Sequence, residues 1–122
     1  NQTQLYPYYK MGAVGCWSTD AWMGPWPLLH LISLLRRGED EQAQQVLAEI
    51  VGEGAGGKPQ PGAGSKRPQQ FADYCKVGPT RVPFLHFPEA QIEKAKKQAA
   101  HWKKLCDKYR PLVEAERGRT AA

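Results

Sequence analysis

The sequence predicts an α/β protein in which most of the chain is helical. The strand is predicted from a short apolar run bounded by glycines, Ala13–Trp17, which is typical of a buried strand. A polar and aromatic loop and then a leucine-rich helix follow it, which is the order of a βα unit. After that unit, the apolar residues recur mainly at three- and four-residue steps, which indicates helices. The chain contains only one recognisable βα unit.

Length and composition place the chain among one-domain proteins with a modest core, at 122 residues. No apolar run approaches the roughly 18 residues that span a bilayer, and the first residues lack the basic start and apolar centre of a signal peptide. The three cysteines have no CxxC spacing, so neither a metal site nor a disulfide framework is indicated. These observations predict a cytoplasmic protein with reduced thiols.

Charge is unevenly distributed along the chain. Residues 1–55 carry a net charge of −3 and residues 56–122 a net charge of +8, which together give the overall +5. A basic half of this kind can meet phosphate or an acidic partner. A solvated helix face followed by a frayed tail is the other interpretation, and we favour it over nucleic-acid binding.

Two helices are predicted after the aromatic loop. The first, Pro27–Arg37, has apolar residues on more than one face, as in a helix buried between a sheet and another helix. Gly38 suits its C-terminal cap. His30 lies inside the apolar run, and we interpret it as a packed, hydrogen-bonded core residue rather than a ligand. The second helix starts at Asp40 and ends at Gly52-Glu53-Gly54, forming an antiparallel hairpin with the first.

Glycines and prolines interrupt the chain before the last helix. Residues 52–68 lack periodicity and predict a flexible loop. Gln69–Lys76 has the pattern of a short helix with Phe71, Ala72 and Cys75 inward. Prolines then force residues 77–84 into an extended path.

A long amphipathic helix is predicted from Pro88 to Arg110. Its apolar stripe consists of Ile92, Ala95, Ala99, Trp102, Cys106 and Tyr109. Its other face carries Lys94, Lys96, Lys97, Lys103, Lys104 and Lys108. Pro111 is expected to stop this helix, and residues from Glu114 to Ala122 are expected to form a disordered tail.

Two sequence blocks, taken together, resemble part of a known family. The first is Met11-Gly12-Ala13-Val14-Gly15 through Ser18, then Pro25, then Gly38 followed by Ala43 and Leu47. The second is Gly78-Pro79-Thr80-Arg81-Val82-Pro83-Phe84, followed by a proline-initiated amphipathic helix. These blocks are similar to the eighth barrel strand, the two helices after it and the G-x-x-R-x-P-x turn of the dihydrodipicolinate synthase / N-acetylneuraminate lyase family of class I aldolases. The tryptophan-rich Cys16–Pro27 most resembles the trans-o-hydroxybenzylidenepyruvate hydratase-aldolase branch.

The resemblance implies that this chain is the C-terminal segment of a (β/α)8 TIM barrel, the last strand and helix, plus C-terminal helices. Residues 1–37 would be the last βα unit, and residues 38–122 a helical extension with a Gly/Pro-rich loop at 52–68. It also implies a Schiff-base lysine on strand six and a proton-transfer tyrosine on strand five, both outside this chain. No separate cofactor is implied. The 122-residue piece is therefore expected to be inactive alone.

The site residues carried over by the resemblance lie at the carboxyl end of the predicted strand. Trp17 would form a wall facing bound pyruvate, and Ser18, Thr19 and Asp20 would touch substrate oxygen or hold the loop. Trp22 would shape the pocket for an aromatic ring. Two of these residues have an alternative role: Asp20 can serve as a helix N-cap, and Trp22, like the neighbouring Trp26, can pack between helices.

The implied function is a lyase that cleaves an aryl-substituted 2-oxo acid to pyruvate and an aromatic aldehyde, in aromatic-hydrocarbon degradation. Its partners would be the N-terminal barrel portion, the 2-oxo acid and further copies in a homo-oligomer, with no nucleic acid and no membrane. Three alternatives remain: a related pyruvate-dependent aldolase or dehydratase, a basic helical module that binds nucleic acid or an acidic protein, and an inactive helical scaffold.

Overall fold

A computed structural model describes residues 4–55, 62–79 and 86–120, and this part of the chain is mostly helical. Its helices follow one another in this order: α1 (Leu5–Lys10), the 3₁₀ helix Thr19–Met23, α2 (Trp26–Arg37), α3 (Asp40–Ala55), the 3₁₀ helix Gly62–Phe71 and α4 (Glu89–Thr120). None of the helices within these ranges is long and apolar enough to cross a membrane.

The predicted buried strand Ala13–Trp17 is not found. These residues have no regular secondary structure, and the side chains of Val14 and Trp17 are 90% and 92% exposed. A strand requires a neighbour to accept and donate its backbone hydrogen bonds. No segment of the described residues forms a strand that could supply one. The α/β prediction is therefore wrong for this part of the chain, whereas its mostly helical character is confirmed.

The core lies where α2, α3 and α4 pack together. Leu31 and Leu34 of α2 are almost completely buried, as the apolar pattern on more than one face of this helix predicted. Val46 of α3 and Trp102 of α4 pack into the same cluster. Apolar periodicity thus identified the buried faces of α2 and α4, because an apolar stripe repeating at 3.6 residues is removed from water by packing against another element.

A glycine reverses the chain between α2 and α3, as predicted. Gly38 adopts the left-handed conformation with φ 76° and ψ 17°. The Gly38 amide donates to the Leu35 carbonyl at 3.1 Å, and the Glu39 amide donates to the Leu34 carbonyl at 3.0 Å. These bonds satisfy carbonyls that the helix end would otherwise leave without partners.

The segment after α3 departs from the predicted loop. Helical geometry breaks at Gly52, with φ 50° and ψ 175°, which agrees with the predicted helix end, although a further turn follows to Ala55. Residues 56–61 of the predicted loop lie outside the described residues. Gly62–Phe71 is a 3₁₀ helix, so the loop prediction fails over residues 62–68.

The short helix predicted for Gln69–Lys76 is also displaced. The 3₁₀ helix ends at Phe71, whose side chain is 38% exposed instead of inward. Ala72 packs against the core, and Cys75 is half-buried. Residues 77–79 of the predicted extended path have no regular structure, and residues 80–84 lie outside the described residues.

Helix α4 continues through Pro111, which was expected to stop it, and the predicted disordered tail is helical up to Thr120. Proline lacks the N–H that would bond to the carbonyl four residues earlier, which is unfavourable inside a helix. Tertiary contacts beyond the proline oppose that cost. Val113 is 4% exposed, and Glu116 accepts hydrogen bonds from Ser33 Oγ at 2.7 Å and Arg37 Nη1 at 2.5 Å.

Candidate functional site

Helix α4 holds the second half of the aromatic loop that precedes α2. The indole Nε1 of Trp102 donates to the Gly24 carbonyl at 2.9 Å, and both groups are buried. Cys106 Sγ donates to the Met23 carbonyl at 3.7 Å. A Cβ on Gly24 would lie 2.5 Å from Cys106 Sγ, and the φ of Gly24 is 127°. Only glycine fits this close approach of loop to helix.

The middle of the loop is held by two polar side chains. Ser18 Oγ accepts a hydrogen bond from the Asp20 amide at 3.2 Å and so caps the 3₁₀ helix Thr19–Met23. Gln69, which is 7% exposed, donates from Nε2 to the Thr19 carbonyl at 2.9 Å. The N-cap interpretation of Asp20 is therefore wrong. Ser18 is the cap, and Asp20 lies in the first turn.

The first half of the loop lies beside α1 and forms one side of an open groove of about 380 Å³. The Ala13 amide donates to the Tyr8 carbonyl at 3.0 Å, which ties the loop to the end of α1. The lining residues are Gln4, Leu5, Tyr8, Met11, Ala13, Gly15, Cys16, Trp17, Ser18 and Leu28. Met11 is 81% exposed. The groove is thus an apolar surface that this chain leaves open to solvent.

The structure brings two of the five predicted site residues to this groove. Trp17 and Ser18 line it, whereas Thr19, Asp20 and Trp22 do not. Thr19 is exposed, Asp20 is half-buried and Trp22 is 53% exposed. The five residues lie within six positions of one another in sequence, but the last three belong to the 3₁₀ helix Thr19–Met23 and do not line the groove.

The packing interpretation fits Trp26 better than Trp22. Trp26 is half-buried against the core, and the guanidinium of Arg110 lies 5.3 Å from the centroid of its ring. A cation in this position is attracted by the electron-rich ring face. Trp22, in contrast, has about half of its surface in water.

The titration behaviour of Asp20 differs from that of an exposed carboxylate. Burial raises its pKa above the ordinary value, because a charged carboxylate is less well solvated there. A larger fraction of Asp20 is therefore protonated at a given pH, and a protonated carboxyl group can donate a hydrogen bond to an oxygen.

Lys10, the lysine nearest to the loop in sequence, is unsuited to act as a nucleophile. Its ammonium group donates a hydrogen bond to Asp40 at 2.5 Å, and this bond raises its pKa. A lysine that forms a Schiff base needs a lowered pKa, so that the free amine is present.

Two further kinds of chemistry find no support in the described ranges. No group of three or more His, Cys, Asp or Glu side chains is placed to hold a metal ion. Burial raises the pKa of the Cys106 thiol to about 11, so this thiol stays protonated and unreactive. Cys16, in contrast, is exposed beside the groove.

The residues that hold the loop could not be identified from the sequence as parts of the site. Trp102 and Cys106 were placed on the buried stripe of the last helix, and the structure confirms their burial. Their polar groups reach Gly24 and Met23, which are more than 75 residues away in the chain. Periodicity identifies a buried face, but it does not identify the backbone carbonyl across from it.

Comparison of the chain with protein-family models, with curated proteins and with solved structures gave no match.

Proposed function

We propose that this chain is the C-terminal part of a Schiff-base-forming hydratase-aldolase, a lyase that cleaves an aryl-substituted 2-oxo acid to pyruvate and an aromatic aldehyde. The observation that carries the proposal is the exposure of Val14–Trp17. A run with the composition of a buried strand lies open to solvent, next to a loop that α4 holds in place. Exposed apolar surface of this kind is typical of an incomplete protein or of an interface.

The energetics favour a covering partner for this surface. An aromatic side chain buries about 150–250 Å², and each Å² of apolar surface removed from water contributes about 25 cal/mol. Covering Trp17 alone would therefore contribute on the order of 4 kcal/mol. In the proposed enzyme, the N-terminal barrel portion supplies neighbouring strands. These strands pair with Ala13–Trp17, and the barrel covers the side chains on one face of the strand that Ala13–Trp17 then forms.

Catalysis in the proposed enzyme is divided between the two portions. The N-terminal portion supplies the lysine that forms the Schiff base and the tyrosine that transfers protons. This chain supplies the part of the pocket that orients the aryl group and the substrate oxygens. Trp17 and Ser18 contribute from the groove, and Thr19, Asp20 and Trp22 contribute from the 3₁₀ helix that follows it. Asp20 is the acidic member of this set, and burial raises its pKa above the ordinary value. No separate cofactor is required, and the enzyme would be a cytoplasmic homo-oligomer.

The proposal is tested on the longer protein that contains these 122 residues. Borohydride reduction in the presence of pyruvate should trap a covalent pyruvyl-lysine adduct, and tryptic mass spectrometry should place that adduct upstream of residue 1. The 122-residue chain alone, treated in the same way, is the control and should remain unlabelled. If the longer protein gives no adduct, the aldolase proposal fails.

A second candidate function rests on the lysine face of α4. Within the described residues, Lys94, Lys97 and Lys104 are exposed and form no ion pair, whereas Lys96, Lys103 and Lys108 each contact a carboxylate. A polyanion could occupy the three unpaired positions. Binding of a labelled RNA or DNA that weakens steeply with added salt would support this function. Binding that ignores salt, or no binding, would exclude it.

A further inference from the structure

Four arginines from two distant parts of the chain meet at one groove. Arg36 and Arg37 lie in the last turn of α2, and Arg117 and Arg119 lie in the last turn of α4. All four line a groove of about 560 Å³ between the two helices. Because like charges repel, their convergence costs free energy unless a negative charge is also present.

The charges present in the groove do not balance. Arg37 is paired with carboxylates, since Nε contacts Glu39 at 2.5 Å and Nη1 contacts Glu116 at 2.5 Å. The other three arginines, Arg36, Arg117 and Arg119, are exposed and form no ion pair with any described residue. Three guanidinium groups therefore remain available to an anion.

The floor of the groove is apolar. Leu29 and Ile32 of α2 are half-buried, and Val113 of α4 is 4% exposed. A small inorganic anion would leave the half-buried Leu29 and Ile32 in contact with water. A ligand with an apolar part would cover them, while its charged end reached the arginines. The groove volume also lies in the range of about 300–1,000 Å³ that is usual for small-molecule sites.

Stabilisation of the helix ends accounts for only part of this arrangement. A cation in the last turn of a helix interacts favourably with the helix dipole, by about 0.3–1 kcal/mol. That interaction acts within each helix separately. It gives no reason for the arginines of α2 and α4 to share a groove with an apolar floor.

We propose that this groove binds an amphipathic organic anion with a carboxylate or phosphate head. The head pairs with Arg36, Arg117 and Arg119, whose planar guanidinium groups match either oxyanion with two parallel hydrogen bonds. The apolar part lies on Leu29 and Ile32. This site is independent of the aldolase proposal, because none of its residues belongs to the predicted substrate-contacting set.

Calorimetric titration of the 122-residue chain with monomeric monododecyl phosphate tests the site. Saturable binding at one site is expected, and inorganic phosphate should bind at least tenfold more weakly because it leaves the apolar floor uncovered. The double variant Arg117→Gln/Arg119→Gln should lose at least tenfold in affinity for dodecyl phosphate. The control Lys94→Gln/Lys97→Gln removes the same charge from α4 outside the groove, and it should retain the affinity of the unmodified chain.

Four results would overturn the proposal. They are no binding of dodecyl phosphate, equal affinity for inorganic phosphate, equal losses in the arginine and lysine variants, and binding to phosphatidylglycerol vesicles without binding to the soluble probe. The last result would indicate a membrane surface instead. If the double variant fails to fold, as judged by circular dichroism, Arg36→Gln replaces it with the same expected loss, because Arg36 contacts no described carboxylate.

Discussion

His30 illustrates at the scale of one residue what burial does to a titratable group. It is 9% exposed, and its ring stacks on that of Tyr109 with centroids 4.8 Å apart and an interplanar angle of 21°. Its Nδ1 is buried and has no hydrogen-bond partner among the described residues. The sequence interpretation of His30 as a packed core residue is confirmed, but for Nδ1 the expected hydrogen bond is not found. Burial lowers the pKa of His30, because the imidazolium would be poorly solvated there.

This lowered pKa predicts that the chain loses stability in mild acid. The unfolded imidazole takes up a proton below its ordinary pKa of 6.5, and the folded one resists it. Above pH 6.5 the contribution of His30 to the free energy of unfolding is therefore constant. Below pH 6.5 this contribution falls as the pH drops. For one proton the slope is at most about 1.4 kcal/mol per pH unit. Urea unfolding at several pH values between 5 and 8 measures this slope.

His30→Phe is the matched variant for this measurement, since it preserves the stacked ring and removes the titration. It should flatten the dependence between about pH 5 and 6.5. Losses at lower pH should remain, because carboxylates titrate there. An unchanged slope in His30→Phe would assign the effect to another group.

Gly24 predicts a second residue-scale effect. A side chain at this position would meet both a positive φ and the sulfur of Cys106 at 2.5 Å. Gly24→Ala should therefore lower the free energy of unfolding by about 2 kcal/mol or more. Gly118→Ala is the control, because a Cβ there meets nothing within 4 Å, and it should raise stability by up to about 1 kcal/mol. Equal effects of the two variants in urea unfolding would show that the loop does not lie against α4.

At the scale of elements, α4 shows a tertiary contact overriding a local signal. Pro111 is unfavourable inside a helix by about 3 kcal/mol, which is why the sequence predicted a stop there. Two contacts beyond Pro111 offset this cost. Val113 is buried in the same helix, and Glu116 accepts hydrogen bonds from Ser33 and Arg37 of α2. Both contacts exist only because α2 lies alongside.

Hydrogen exchange distinguishes a continuous α4 from a frayed tail. The amides from Val113 to Glu116 should exchange more slowly than unstructured peptide, because they are hydrogen-bonded and partly covered by α2. Pro111→Ala should extend this protection and stabilise the chain by about 1–3 kcal/mol, since the N–H is restored and the ring removed. Unprotected amides beyond residue 111 would instead indicate the disordered tail that the sequence predicts.

At the scale of the whole molecule, the chain combines a closed helical core with an open apolar surface. The core formed by α2, α3 and α4 contains leucines that are almost fully buried. The surface from Tyr8 to Trp22 has several large side chains more than half exposed: Tyr8, Met11, Val14, Trp17 and Trp22. A stable core beside an uncovered surface is expected in a protein that associates.

The isolated 122-residue chain should therefore self-associate through this surface. Sedimentation equilibrium should show an average mass that rises with concentration. Val14→Ser with Trp17→Ser should keep the chain monomeric, because both side chains are about nine-tenths exposed and contribute little to the folded monomer.

Leu112→Ser is the control, since Leu112 is 47% exposed but lies on α4 outside this surface. It should associate like the unmodified chain. A monomer with a sharp thermal transition that does not depend on concentration would refute the expected association.

The helices illustrate how far the sequence alone reaches. Periodicity and capping, which are local properties of consecutive residues, predict α2, α3, most of α4 and the Gly38 reversal. They do not predict α1 or the two 3₁₀ helices. The candidate site is less accessible to such reasoning. The sequence singled out Trp17 and Ser18, which line one groove, but it also grouped with them three residues of the following 3₁₀ helix that do not line it.

The amino-acid sequence by itself determined that α2, α3 and most of α4 are helical, because their apolar patterns lie within a few turns. Only the tertiary structure decided that α4 continues through Pro111, that Gly24 lies against Cys106, and that arginines from α2 and α4 share one groove. Each of these depends on residues more than 75 positions apart. The tertiary structure also decided that Val14–Trp17 is exposed, because a strand forms only where another strand is present to pair with it.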